Sequence, residues 1–216
     1  MILNYGRKNN YSRDLSVKTE SGTLFIVSGP SGVGKTTVVT ELLKKHDKDY
    51  NIGRAVTYTT KVPRINEVHG VDYHFICQVE FERKIGEGFF LEWSGEYGSC
   101  YGTPAHILDD LKHGQSFILV IDRVGAAQIL EKYKDVVLIW IEVSSFEQLL
   151  KRLTLRGTES FDQVQARLSL ARKEIEQELH ESMYHYKVEN NDLNHCVQRL
   201  SELILPRVVI AKKDII

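Results

Sequence analysis

Short, nearly continuous apolar runs alternate along this chain with stretches in which apolar positions recur every three or four residues. Residues 23–28 (TLFIVS), 116–122 (SFILVID) and 135–143 (DVVLIWIEV) have the composition of strands buried on both faces, and a shorter run at 186–189 suits a last strand. Helical spacing is expected over 36–45, over 104–114 with Pro104 in the first turn and Gly114 at the end, between 122 and 135, over 144–155, from 160 to about 180, and over 192–204. Two of these helices open on capping-box patterns, Ser144-x-x-Glu147 and Ser160-x-x-Gln163. The helix from 160 carries one apolar stripe, Phe161, Val164, Leu168, Ala171, Ile175 and Leu179, that suits a packing face. Strands alternating with helices predict an α/β fold: a mainly parallel sheet with helices on both faces. Between 55 and 103 the texture changes, and AVTYTT, VDYHF and GFFLEW read as short twisted strands around a helix over 79–86. This segment is expected to form a small lobe inserted in one domain spanning 22–205, with residues 1–21 and 206–216 as flexible tails.

The composition narrows the possible partners. The 216 residues are 42% hydrophobic and 26% charged, with 28 Lys+Arg against 29 Asp+Glu. A formal charge of -1 creates no global field for nucleic acid or anionic membrane, so any anion site must be local. No run approaches the roughly 18 apolar residues of a membrane span, and the basic N-terminal stretch lacks the apolar core of a signal peptide. Cys77, Cys100 and Cys196 are scattered, without the spacing of a zinc site or a disulfide framework, which fits a reducing cytoplasm. The length leaves little expected room for neighbouring modules.

The chemistry starts at Gly29-Pro30-Ser31-Gly32-Val33-Gly34-Lys35-Thr36, which satisfies G-x-x-x-x-G-K-[ST] between a strand and a helix. Glycines let successive backbone N–H groups turn towards an anion, Lys35 adds a cation for the β and γ phosphates, and the Thr36 hydroxyl can bind Mg²⁺. The helix that begins there adds its positive N-terminal end. Asp122 closes an apolar run and is expected at the carboxyl edge of the sheet, as a site carboxylate or as the N-cap of the next helix.

A phosphate loop leaves the acceptor open. Four stretches in order, VSGPSGVGKTT, TYTTKVPRINEVHGVDYHF, FLEWSGEYGSCYGTP and RLTLRGTES, make the chain similar to the guanylate kinase family of P-loop nucleoside monophosphate kinases over about residues 22–205. The resemblance implies a P-loop NTPase-type core, a GMP-binding lobe at about 55–103, a helical lid at about 146–180, and transfer of the γ-phosphoryl group from ATP to GMP with Mg²⁺. It assigns guanine recognition to Glu92, with Thr57 and Thr103 as hydroxyl partners, and the acceptor phosphate to Lys61, Arg64, Tyr73 and Tyr101. Arg152, Arg156 and Arg167 match the lid arginines that meet charge on the transferring group, and Asn190 is expected near adenine or in a turn. A carboxylate suits guanine because N1–H and the 2-amino group are neighbouring donors, whereas adenine offers a bare N1 acceptor. Leu91 and Trp93 are expected to point to the core on either side of Glu92.

The chain departs from the family pattern at Lys61, where arginine is usual, at Val120, where an acid is usual, and at Val124, where glutamine is usual. Two other readings share parts of the pattern: a sugar-phosphate kinase acting on a compound such as ribose 1,5-bisphosphate, and a non-catalytic guanylate-kinase-like module that holds phosphopeptides. Glu92 counts against the first and Lys35 against the second.

Overall fold

The computed structural model describes residues 21–95, 98–155 and 161–211. Its core is a five-stranded parallel sheet ordered β2-β7-β1-β8-β9, built from β1 (Leu24–Ser28), β2 (Ile52–Arg54), β7 (Ser116–Val120), β8 (Val136–Glu142) and β9 (Tyr186–Glu189). β1 lies at its centre, paired in parallel with β7 and β8, and every residue of it is buried. Two apolar clusters cover the two faces: Phe25, Val27, Ile139 and Ile141 point into one, and Leu24, Ile26, Leu138 and Trp140 into the other. The alternation within each strand shows why unbroken apolar runs were required here.

Helix α1 (Lys35–His46) follows β1 through the phosphate loop and packs against α7 (Leu193–Ile204). A second sheet, ordered β4-β3-β6-β5, holds β3 (Tyr58–Thr59), β4 (His74–Phe75), β5 (Phe90–Ser94) and β6 (Tyr101–Pro104), with α2 (Gln78–Gly86) between β4 and β5. The β5–β6 and β3–β6 pairs are antiparallel; β3 and β4 run parallel. Helices α3 (Ile107–Lys112), α4 (Arg123–Lys132), α5 (Phe146–Leu155) and α6 (Phe161–His180) complete the fold.

Several local expectations are corrected. Pro104 ends β6 instead of opening a helix, and α3 begins only at Ile107, because residues 101–104 pair along β5 and the first two of them also with β3. β7 stops at Val120, and Asp122 is the N-cap of α4, its Oδ1 accepting from Gly125 N at 2.8 Å. The cap of α5 is shifted by one residue: Gln148 N donates to Ser145 Oγ at 3.4 Å, while Ser144 Oγ turns to Asn191 Oδ1. On α6 the stripe holds only in the middle, since Phe161 and Leu179 are exposed and Glu174 and Glu178 are buried. Ser160 and Arg156 lie outside the described residues. Beyond Pro206 the chain docks: Val208 is buried, Asn51 N donates to Val209 O, and Ala211 N donates to Asp49 O.

Candidate active site

The loop leaves the carboxyl end of β1, where parallel sheets present ligand sites. Gly34 has φ +98°, and a Cβ there would stand 2.8 Å from Asn190 Nδ2, so both conformation and space demand glycine. Lys35 Nζ donates to Gly29 O at 2.6 Å and Pro30 O at 3.3 Å, which holds the ammonium over the start of the loop. Asn190, buried at the end of β9, donates from Nδ2 to Val33 O at 2.7 Å. Arg152 of α5 donates to Val33 O at 3.0 Å and to Asn190 O at 2.6 Å. Arg167 of α6 donates from Nε to Ser31 Oγ at 2.9 Å, and Glu174, two turns further along the same helix, accepts from Ser31 N at 3.0 Å. Gly29, Pro30, Gly32 and Val33 complete the loop, with Thr36 exposed in the first turn of α1. Val120, where an acid was usual, packs against the apolar core.

The second constellation lies in the small sheet. Glu92 is 1% exposed, and Thr103, opposite it on β6, donates its hydroxyl to Glu92 Oε1 at 2.6 Å. Burial, with help from the nearby Asp122 charge, pushes the Glu92 carboxyl up to about 7, against the opposing pull of the Thr103 bond and Lys132. Thr57 is buried just before β3. Trp93, expected in the core, is 41% exposed, because an irregularity between Phe90 and Glu92 resets the alternation and turns the acid inward. Tyr73 and Tyr101 meet edge to face at 6.0 Å, and Lys61 Nζ stands 4.7 Å over the Tyr73 ring. Burial raises the pKa of both phenols and lowers that of Lys61.

Glu67 was missed by sequence reasoning. It accepts from Lys61 Nζ at 2.6 Å and from Arg64 N at 2.8 Å. Although burial alone would raise it, the Arg64 N–H and Lys61 hold its carboxyl below the usual range. An acid three residues after Arg64 was the available signal. Glu174 gave a weaker one: an acid three residues beyond Ala171, on the inward side of an amphipathic helix.

The two constellations join through adjacent strand ends. Ser28 Oγ, just before the loop, donates to Ile121 O at 2.8 Å, and the next residue, Asp122, accepts from Ser94 Oγ of β5 at 2.8 Å. A glycine-lined anion loop with a lysine, connected in this way to a buried carboxylate on an appended sheet, defines a phosphoryl-transfer class of α/β protein. The guanylate kinase family model matches residues 21–206, and the chain belongs to that family. It is 40% identical over 189 residues to a guanylate kinase of Clostridium perfringens (strain SM101 / Type A), covering 87% of this chain and 85% of the relative. To the Symbiobacterium thermophilum guanylate kinase it is 42% identical over 185 residues, 85% of each chain. The crystal structure of guanylate kinase from Anaplasma phagocytophilum superposes with a TM-score of 0.70 at 30% identity, covering 88% of this chain and 91% of that one. Among the described residues no helix is long and apolar enough to cross a membrane.

Proposed function

We propose that this chain transfers the γ-phosphoryl group of ATP to GMP, giving ADP and GDP, with the chemistry divided between the two constellations. The observation that carries the division is Glu92, an acid buried almost completely and held by one hydroxyl. Its ionised carboxylate takes guanine N1–H and the 2-amino group together, and would repel the N1 lone pair of AMP. Thr57 and Thr103 serve the neighbouring base edge. Lys61, Arg64, Tyr73 and Tyr101 receive the acceptor phosphate, for which Lys61 exchanges its bond to Glu67. A lysine there binds as a point charge instead of a bidentate fork.

For the donor, main-chain N–H groups from Gly29 to Thr36 and the Lys35 ammonium hold the triphosphate. The exposed Thr36 hydroxyl and substrate phosphate oxygens are a donor set that fits Mg²⁺, a hard cation that needs few protein ligands. When bound, Mg²⁺ supplies charge neutralisation at the phosphates. Arg152, Arg156 and Arg167 act as the lid arginines that stabilise charge on the transferring group, over a lid at about 146–180, while residues 55–103 form the acceptor lobe. The GMP phosphate is already an anionic nucleophile, so no general base is needed. Asp122 organises the acceptor side through Ser94. Three free cysteines fit a cytoplasmic location.

The test is a panel of GMP, AMP, IMP and ribose 1,5-bisphosphate with ATP and Mg²⁺, read by ADP formation. GMP should be turned over and AMP not; turnover of the sugar phosphate alone, or of no acceptor, would overturn the proposal. Lys35→Ala should lower kcat by on the order of 10²-fold or more without changing Tm. Near-normal turnover in that variant would remove the loop from catalysis.

A further inference from the structure

Helix α4 touches the base-reading strand at four consecutive residues. Its third residue, Gly125, is buried in ordinary helical conformation, where glycine costs stability relative to alanine and no positive φ calls for it. Space explains it: a Cβ at Gly125 would stand 2.5 Å from Glu92 Oε2, closer than real Cβ atoms come, and 3.1 Å from the carboxyl carbon. The Glu92 carboxylate therefore rests against the bare backbone of α4.

The rest of α4 holds the strand around that point. β5 is the edge of its sheet, with β6 on one side only. On the other side, where a further strand would pair, α4 supplies the partners. Gln128 acts through both ends of its amide: Trp93 N donates to Oε1 at 3.2 Å, and Nε2 donates to Trp93 O at 2.8 Å. Lys132 Nζ donates to Leu91 O at 2.6 Å, and Ser94 Oγ donates to Asp122, the N-cap of the same helix. The main chain is thus fixed on either side of Glu92, and its side chain is stopped by Gly125.

We propose that Gly125 and Gln128 are positioning residues for guanine specificity: α4 sets how far the Glu92 carboxylate stands back, and so whether it meets both the N1–H and the 2-amino donors. The proposal rests on Glu92 as the guanine reader. IMP is the discriminating probe, since hypoxanthine keeps N1–H and lacks the 2-amino group. A carboxylate displaced by a methyl, or borne on a loosened strand, forfeits the two-point contact that separates the two bases.

The experiment compares kcat/KM for GMP and IMP in the wild type and in Gly125→Ala, Gln128→Ala and Glu92→Gln, with ATP-analogue affinity and Tm measured on each. Gly125→Ala should raise the KM for GMP at least tenfold with a smaller change in kcat, and move the GMP-to-IMP ratio towards that of Glu92→Gln. Gln128→Ala, at a half-buried position, should do so several-fold. ATP-analogue affinity should stay within about twofold in both. If Gly125→Ala does not fold, Gln128→Ala decides. A wild-type ratio in either folded variant, while Glu92→Gln loses it, overturns this proposal alone. A wild-type ratio in Glu92→Gln overturns the guanine reader and the proposal together.

Discussion

Glu92, the proposed guanine reader, illustrates how a buried acid acts against stability. Its carboxyl is raised from the ordinary 4.5 to about 7, chiefly by burial. The folded state therefore binds the proton more tightly than the unfolded chain. Stability is lost as pH rises from about 4.5 to about 7, and the penalty is fully present above that; at about 1.4 kcal/mol per pH unit it is on the order of 3 kcal/mol. Glu92→Gln should accordingly raise Tm by several degrees at pH 8 and by almost nothing near pH 4, as thermal melts at the two pH values would show. In the proposed function guanine needs the anion, so the KM for GMP should rise by up to tenfold per unit as pH falls below about 7. The same series in Glu92→Gln keeps only the slope contributed by the nucleotide's own phosphate. Equal slopes in the two proteins would separate the ionised acid from base recognition.

Among the elements, α6 shows what sequence pattern conveys and where it stops. Val164, Leu168 and Ala171 were legible because helical spacing and apolar character agree there. At the next two turns apolar character favoured Ile175 and Leu179, yet Glu174 and Glu178 face inward, because Ser31 N–H awaits the first and Arg123 and Lys187 the second. Ser31 and Arg123 lie dozens of positions away from these acids, and no local periodicity encodes such partners. β1, β7 and β8 were legible for the opposite reason, since their unbroken apolar runs fit little except a covered parallel sheet. β2 and β6 were not, being short and carrying glycine or proline that only pairing turns into strand. The glycine-rich loop between β1 and α1 is a local pattern, legible from its own spacing; the seating of Glu92 against Gly125 joins two distant segments and was not. The inward Glu174 also makes a prediction. Its charge sits on a main-chain donor of the loop proposed to receive a triphosphate, so Glu174→Gln should lower the Kd for an ATP analogue several-fold in equilibrium titration. Weaker binding would instead assign the acid to holding the loop in shape.

For the molecule as a whole, the tie between the small sheet and the helices around the loop runs through an ion cluster centred on the buried Glu178. Glu178, 2% exposed near the end of α6, accepts from Arg123 at the start of α4 and pairs with Lys187 of β9 at 3.2 Å. Arg123 also donates to Glu181 O, closing the turn after α6 onto α4. Arg123 follows Asp122 directly, so the helix that carries Gly125 and Gln128 is anchored at its first residue to the helix that reaches the phosphate loop through Arg167 and Glu174. Such a pair adds little net stability relative to apolar residues of similar size, whereas loss of Arg123 leaves the buried Glu178 charge to the more exposed Lys187 and to Ser182, whose Oγ donates to it. Arg123→Met should therefore destabilise by about 2 kcal/mol, lowering Tm by roughly 4–8 °C for a chain of this length. Arg123→Met with Glu178→Met should recover most of that loss, because the under-paired carboxylate is gone. Thermal melts of the two singles and the double close the cycle. Additive losses, with the double variant the least stable of the three, would show that α4 and α6 are held together by their apolar packing and that the ion cluster contributes no coupling between them.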